Sequence, residues 1–257
     1  MMTTNTNQES QTETNQLMTN YGMLADLFIY PIDESYTNRF RRIHEYFLTT
    51  FPESAEAMNP FMALLSTASL VDVQELFLRS FDVQAITTLD IGFTLFGEDY
   101  KRGQLLVHLN KEHRDAGNDC HTELSDHLPN VLRLLDKMKD HVMRDEIATR
   151  LVIPAVVKMI AEFSGEKIEK KDVIYKKNLK SILEYSKDYR TVYQSLLEAL
   201  LITLKKDFNY EEQQEALQTD QTKNEMATCQ PSSSCSCSSS VKDYSQIIET
   251  EMLIEKD

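Results

Sequence analysis

Apolar residues recur every three or four positions along most of the chain, which is the spacing of one buried face of an α-helix. Leu17, Tyr21, Leu24 and Phe28 form the first such face, and Pro31 ends it. The spacing predicts helices at residues 17–29, 33–48, 54–67, 69–81, 97–117, 128–138 and 142–163, followed by one or two more within 173–186 and 189–204. This succession of helical faces predicts an all-α protein.

Turn and cap residues support the same interpretation. Asp33 is placed to cap the second helix, Asp99 suits the start of the 97–117 helix, and Gly117 suits its end. Pro60 is expected near the middle of its helix or at a junction, and Pro154 is expected to kink or restart the 142–163 helix. The chain has only 6 Gly and 6 Pro, which disfavours a turn-rich β-sandwich.

Residues 83–96 have an ambiguous pattern. Ile86, Leu89, Ile91 and Phe93 alternate loosely, as residues of a strand do. Because no partner strand is predicted elsewhere, a short helix or a buried connection is favoured.

Both ends of the chain differ in composition from the helical part. Residues 1–16 are polar, and residues 209–240 are polar and then Ser-rich, which is typical of disordered segments. A short amphipathic helix is predicted beyond them from four apolar residues: Ile247, Ile248, Leu253 and Ile254. We therefore predict a single helical domain at 17–208, with a disordered arm at 1–16 and a flexible tail at 209–257.

The formal net charge of −14 restricts the class of partner. Phosphate backbones and anionic membranes are bound through Lys and Arg, so both are disfavoured, whereas a basic peptide is attracted. An acidic balance is also common in cytoplasmic proteins for solubility alone. No apolar stretch approaches a membrane span, and residues 1–16 contain no Lys or Arg and so do not resemble a secretion signal. A cytoplasmic protein is predicted.

Reactive side chains are concentrated between residues 108 and 127. The set comprises His108, His113, Asp115, Cys120, His121, Glu123, Asp126 and His127. His, Cys and carboxylate groups bind zinc and iron, so one hypothesis is a helical metal-dependent hydrolase. The alternative is a polar loop between helices, in which Glu123 or Asp126 caps a helix that begins near Leu128 with Pro129 in its first turn.

Other signs of catalysis are missing from the sequence. It has no Gly-rich phosphate loop and no Gly-x-Ser-x-Gly elbow. Cys229, Cys235 and Cys237 lie together in the Ser-rich segment, where they are candidate ligands for a soft metal ion or partners in a redox-sensitive disulfide. An inert tail is the alternative. We predict no catalytic residue, no cofactor and no enzymatic activity.

The run GEDYKRGQLLVHLNKEHRDAG, followed by TELSDHLPNVLRLL, resembles the nitrate reductase delta-type assembly chaperones of the NarJ/TorD family. Arg102-Gly103 matches the family's Arg-Gly pair in a helix, and Ala116-Gly117 matches the end of that helix. Glu123, Asp126 and His127 match a Glu-x-Pro-Asp-His loop, with Ser125 in place of the proline.

The resemblance extends more weakly to VQELFLRSFD upstream, and to helix order between residues 21 and 204. It implies a helical bundle without catalytic activity. Such a protein binds the N-terminal segment of a molybdopterin-containing catalytic subunit, nitrate reductase being the nearest example, and holds it for cofactor insertion and complex assembly.

The leading hypothesis is that a groove near the 123–127 loop captures a basic, partly helical client peptide. The predicted client-binding residues are Asp99, Arg102, Gly103, Glu123, Asp126 and His127. Glu123 and Asp126 are expected to attract the Arg or Lys side chains of the client. His127 is expected to orient the loop or to bond the client backbone, with a pH dependence because imidazole titrates near neutral pH.

Overall fold

The computed structural model describes residues 19–179 and 190–210, and every regular element in these ranges is helical. The α-helices are α1 Tyr21–Leu24, α2 Ser35–Thr50, α3 Pro52–Leu65, α4 Leu70–Phe81, α5 Ile91–Phe96, α6 Tyr100–Asp115, α7 Leu128–Lys137, α8 His141–Ile147, α9 Ile153–Ala161, α10 Gly165–Leu179 and α11 Val192–Asp207. The predicted all-α class is confirmed. The arm at 1–16, the tail beyond 210 and its three cysteines lie outside the described residues.

Short polar side chains fix where several helices begin. Asn20 accepts a hydrogen bond from Met23 N at 2.7 Å, and Asp33 accepts one from Ser35 N at 2.9 Å. The N-cap of α2 is Glu34 rather than the predicted Asp33, and the side chain of Glu34 makes no cap bond. Ser69 and Asp72 form a reciprocal capping box at the start of α4. These bonds satisfy backbone N–H groups that have no partner inside the helix.

The core is centred on α11, which packs most extensively against α3 and also contacts α9 and α4. Ser54 of α3 and Thr203 of α11 share a buried hydrogen bond of 2.9 Å between their hydroxyl groups. The ring of Tyr193 on α11 lies 5.1 Å from Phe61 and 5.2 Å from Phe81, measured between centroids. Helices from both halves of the chain therefore share one apolar interior.

Pro60 and Pro154 have different effects on the helices around them. Pro60 lies inside α3, which continues past it. Before Pro154, residues Ala148–Val152 form a π-helical turn between α8 and α9, in which Ile153 N donates to Ala148 O. Since proline has no N–H and its ring crowds the preceding turn, a widened turn lets the chain pass it without ending the helix. At the position where the sequence predicted a kink or a restart, the structure thus has a π-helical turn followed by α9.

Residues 83–96 contain the short helix α5, preceded by a buried connection, so both favoured alternatives occur.

The start of α10 differs from the prediction. The sequence predicted a helix that begins near Val173, whereas α10 begins at Gly165, directly after the predicted stop at Ser164-Gly165. Ion pairs on this helix, such as Lys170 with Glu166 at 2.6 Å, support a charged segment that has little apolar periodicity. In the described ranges, no helix has both the length and the apolar character needed to cross a membrane.

Candidate functional site

Two connecting segments meet beside α6 and pair as a single antiparallel β-bridge between Asp90 and His127. Ile91 N donates to Asp126 O at 2.9 Å, and Leu128 N donates to Leu89 O at 2.8 Å. The bridge fixes the start of α5 against the start of α7. It therefore places the side chains of Asp90, Asp126 and His127 close together.

Arg102 of α6 lies between the two carboxylates. Its Nε donates to Asp126 Oδ2 at 3.1 Å, and Nη2 donates to Asp90 Oδ2 at 2.9 Å. His127 Nδ1 lies 3.1 Å from Asp90 Oδ1. Because an ionised carboxylate can only accept, Nδ1 carries the proton in this bond. We call Asp90, Arg102, Asp126 and His127 the Arg102 network.

The two carboxylates of the Arg102 network differ in their electrostatics. Burial raises the pKa of Asp126, which has no exposed surface, and outweighs the hydrogen bond from Arg102. The hydrogen bond from His127 holds the pKa of Asp90 below its ordinary value despite the opposing effect of burial. Asp90 is thus the stable anion of the pair, and Asp126 is an internal partner for Arg102.

Gly92 and Phe93 complete the packing around Arg102. A Cβ on Gly92 would lie 2.6 Å from Asp126 Oδ2 and 3.3 Å from Arg102 Cγ, so this position requires a glycine. The guanidinium of Arg102 lies over the ring of Phe93, 5.3 Å from its centroid. The side chain of Arg102 is therefore held on several sides.

The C-terminal end of α6 is closed by a Schellman motif. Gly117 has a φ of +63°, its N–H donates to Arg114 O, and Asn118 N donates to His113 O at 2.8 Å. The expected stop at Gly117 is confirmed. The motif directs the chain back along α6, so the polar loop 118–127 returns towards Arg102.

Buried polar side chains anchor this loop. Asn130 Nδ2 donates to Cys120 O at 3.2 Å and to Leu124 O at 3.0 Å. Asn118 Nδ2 donates to Asn130 O and to His113 Nδ1, which leaves the proton of His113 on Nε2, where it donates to Ser125 O at 2.9 Å. The loop is thus fixed from α6 and from α7.

The prediction that Glu123 or Asp126 caps α7 was wrong. The N-cap residue is His127, and no side chain caps this helix. The carboxylate of Asp126 faces Arg102 instead, and Glu123 is exposed on the loop. Pro129 lies in the first turn of α7, as expected.

One face of α6 next to the Arg102 network is open. Tyr100, Gly103 and Val107, spaced three and four residues apart, are all exposed, with Tyr100 at 79% and Val107 at 67% of their maximal accessible surface. Apart from the adjacent residues and the backbone of α6 itself, no atom lies within 4 Å of a Cβ built on Gly103. Asp99 caps the helix through a 2.8 Å bond from Lys101 N. We call Tyr100, Gly103 and Val107 the α6 face.

The structure does not bring the proposed metal ligands together. Among the residues described, no three His, Cys, Asp or Glu side chains are grouped so that they could hold one metal ion. His113 anchors the loop, His121 is exposed beside Asp119, and Asp126 and His127 belong to the Arg102 network. These four side chains thus make separate local contacts and do not converge on one point.

The six predicted client-binding residues therefore do not all lie at the same place in the structure. Arg102, Asp126 and His127 meet in the Arg102 network, Gly103 and Asp99 lie at or beside the α6 face, and Glu123 is exposed on the loop. The expectation that Asp126 meets a client cation directly does not fit its complete burial. Its contribution is to position Arg102.

Sequence reasoning missed Asp90, Gly92 and Phe93. Asp90 directly precedes a short helix, a position typical of a cap, yet its side chain makes no cap bond and joins the Arg102 network. A glycine in an apolar run, such as Gly92, is a known sign of close approach. That sign was present but did not identify Asp126 as the neighbour.

No protein-family model and no curated protein matches the chain. In the described residues, Arg102 Nη1 and His127 Nε2 have no hydrogen-bond partner. Both side chains are slightly exposed, 16% for Arg102 and 19% for His127.

Proposed function

We propose that this protein is a cytoplasmic assembly chaperone for the molybdopterin-containing catalytic subunit of a nitrate reductase-like oxidoreductase. It binds the N-terminal region of that subunit and holds it for cofactor insertion and complex assembly. One observation carries the proposal: Arg102 of one family-like motif bonds Asp126 of the other, 24 residues along the chain, at 3.1 Å. Three of the residues that the resemblance marks, Arg102, Asp126 and His127, thus lie together in the Arg102 network.

Gly103 supports a protein partner at this site. A glycine inside a helix costs about 0.5–1 kcal/mol of stability relative to alanine. No described part of the chain approaches Gly103 closely enough to require the missing side chain. A client backbone packed against the α6 face would require it.

The surroundings of the α6 face suit a basic amphipathic peptide. Tyr100 and Val107 offer apolar surface, Asp99 is an exposed carboxylate at the start of α6, and Glu123 is an exposed carboxylate on the loop 118–127. Helix-in-groove recognition uses the same division, with apolar anchors on one side and charges along the rim. In a chain of net charge −14, the field also favours a cationic partner.

The Arg102 network supplies the polar contacts in this proposal. Asp90 and Asp126 hold the guanidinium of Arg102 in place, and Asp90 also orients His127. Arg102 Nη1 then donates to a carbonyl of the client backbone, and His127 Nε2 accepts from a client N–H. Such preorganised groups lose little conformational entropy on binding.

The test is the affinity of the full-length chain for the N-terminal peptide of an apo molybdenum subunit, measured by calorimetry. Gly103→Leu places a side chain on the α6 face without an internal clash, and Glu123→Lys reverses a charge on the loop. We expect each variant to weaken binding about tenfold, which corresponds to about 1.4 kcal/mol. Circular dichroism should show unchanged helicity.

Gly165→Leu is the matched control, because Gly165 is also exposed and also has no atom near a built Cβ. It should leave the affinity unchanged. If the parent chain does not bind the peptide, or if Gly103→Leu and Gly165→Leu bind equally well, the proposal is wrong.

A further inference from the structure

A pocket of ≈ 520 Å³ is lined in part by Phe93, whose ring also lies against Arg102. Its wall is formed by the connection before α5, by α5, and by the facing parts of α9 and α10. The residues that line it include Ala85, Phe93, Lys158, Glu162, Lys167 and Lys171. The pocket is separate from the α6 face and has a different chemistry.

The charge of this pocket is opposite to that of the whole chain. Lys167 and Lys171 both pair with Glu162, at 2.7 Å and 2.8 Å, and Lys171 also donates to Ile86 O. Lys158 is exposed and has no ion-pair partner in the described ranges. Three lysines around one glutamate thus give a positive site in a chain of net charge −14.

The rest of the pocket is apolar enough for a peptide side chain. Phe93, Ala85 and Ala161 contribute carbon surface between the lysines, and Phe93 is 39% exposed. Lysines around an apolar floor match an acidic peptide that carries bulky aliphatic residues. A basic peptide is repelled, so the client proposed for the α6 face is not the occupant.

The chain itself contains a segment with this chemistry. Residues 243–257 include five acidic residues and one lysine: Asp243, Glu249, Glu251, Glu255, Asp257 and Lys256. The same segment has aliphatic residues at Ile247, Ile248, Leu253 and Ile254. Its charge and its apolar content are both complementary to the pocket.

The connection between the two is long enough. Residues 211–242 would span roughly 30 Å if they behaved as a flexible coil. A compact domain of this size has a radius of gyration of about 16 Å. Fully extended, 32 residues span about 105 Å, so the segment can reach any side of it. Tethering also gives an effective concentration on the order of millimolar, so a weak contact is populated.

We propose that residues 243–257 bind in the pocket bounded by Lys158, Lys167 and Lys171. The acidic side chains pair with the lysines, Lys158 first, and an aliphatic side chain covers Phe93. The tail is then a ligand of its own domain. The proposal does not depend on the client or on the α6 face.

The test is zero-length carbodiimide crosslinking of the full-length chain, which joins a lysine amine to a carboxylate only when the two are in contact. The chain is used at low concentration as an equal mixture of ¹⁴N- and ¹⁵N-labelled protein, and crosslinked peptides are read by mass spectrometry. We expect crosslinks from Lys158, Lys167 or Lys171 to residues 249–257 within chains of a single label. Crosslinks of mixed label would assign the pocket to a second copy and would overturn the proposal.

A charge-reversal pair provides the control. Lys158→Glu should reduce the crosslinks from Lys167 and Lys171 to the segment about fivefold. Lys139→Glu makes the same change of charge at an exposed lysine before α8, and should leave their yield unchanged. Absence of any crosslink to residues 243–257, or equal loss in both variants, contradicts the proposal. Because no client is present, this result is independent of the binding experiment on the α6 face.

Discussion

Gly92 and Gly103 differ in how closely other residues pack against them: Gly92 is tightly surrounded, whereas Gly103 is open. A Cβ on Gly92 would clash with Asp126 Oδ2 at 2.6 Å and press on Leu105 Cδ2 at 3.1 Å. We expect Gly92→Ala to lower the free energy of unfolding by about 1–3 kcal/mol, as overpacking does elsewhere. Urea denaturation followed by circular dichroism measures this change.

Gly103→Ala is the matched comparison, because it makes the same substitution in open space. It should raise the free energy of unfolding by about 0.5–1 kcal/mol, since alanine is the better residue inside a helix. Equal destabilisation by both substitutions would show that Gly92 is not a close-approach position.

His113 makes the stability of the fold depend on pH. Burial lowers the pKa of His113, because the charged imidazole is poorly solvated between α6 and the loop. The unfolded chain therefore binds a proton at higher pH than the folded chain does. The free energy of unfolding is then largest above the ordinary histidine pKa of about 6.5, and it falls as the pH drops through that value.

Urea denaturation at about pH 7.5 and about pH 5.5 checks this expectation. His113→Gln should be less stable than the parent at the higher pH, because it loses the paired ring nitrogens, and it should lose less stability between the two. An equal loss in parent and variant would show that another group causes the pH dependence.

At the scale of elements, Asn130 of α7 is one of the side chains that hold the loop 118–127. Asn130→Asp keeps the shape of the residue but removes both donors to Cys120 O and Leu124 O. Carbonyl groups that lose a buried donor cost about 1–3 kcal/mol. We expect that loss of stability, with faster amide hydrogen exchange in the loop than in α3 and α11.

The same loop shows what the sequence could and could not predict. Helix positions were predicted well because the apolar period is a local signal, and α4 and α7 agree with their predicted ranges within one residue. The cap at α7 was predicted wrongly because Asp126 turns towards Arg102, 24 residues away. A contact at that separation overrides the local capping preference.

The Arg102 network was partly predictable. Arg102, Asp126 and His127 were identified through motifs, whereas Asp90, which is 37 residues from His127, was not. Its position depends on a bridge between two connections, and neither connection has a regular pattern. The open space around Gly103 also required coordinates, because a sequence does not show which side of a helix stays uncovered.

At the scale of the whole molecule, the net charge of −14 should change the association rate constant of a client more than its dissociation rate constant. A basic client peptide is attracted over distances comparable with the Debye length, which is about 30 Å at 0.01 M salt and about 8 Å at 0.15 M. We expect the association rate constant to fall about tenfold between these salt concentrations, with a smaller change in the dissociation rate constant. Stopped-flow fluorescence with a labelled client peptide measures both.

The comparison that makes this result specific uses a client peptide whose Lys and Arg residues are replaced by Gln. Its apolar face can still lie against Tyr100 and Val107, so it should bind, but its association rate should change less than about twofold with salt. With the unmodified peptide, the Glu123→Gln variant of the protein should show a smaller salt dependence, because the variant lacks an exposed carboxylate on the loop 118–127. If both peptides respond equally to salt, the acidic surface does not steer the client, and the charge of the chain serves another purpose.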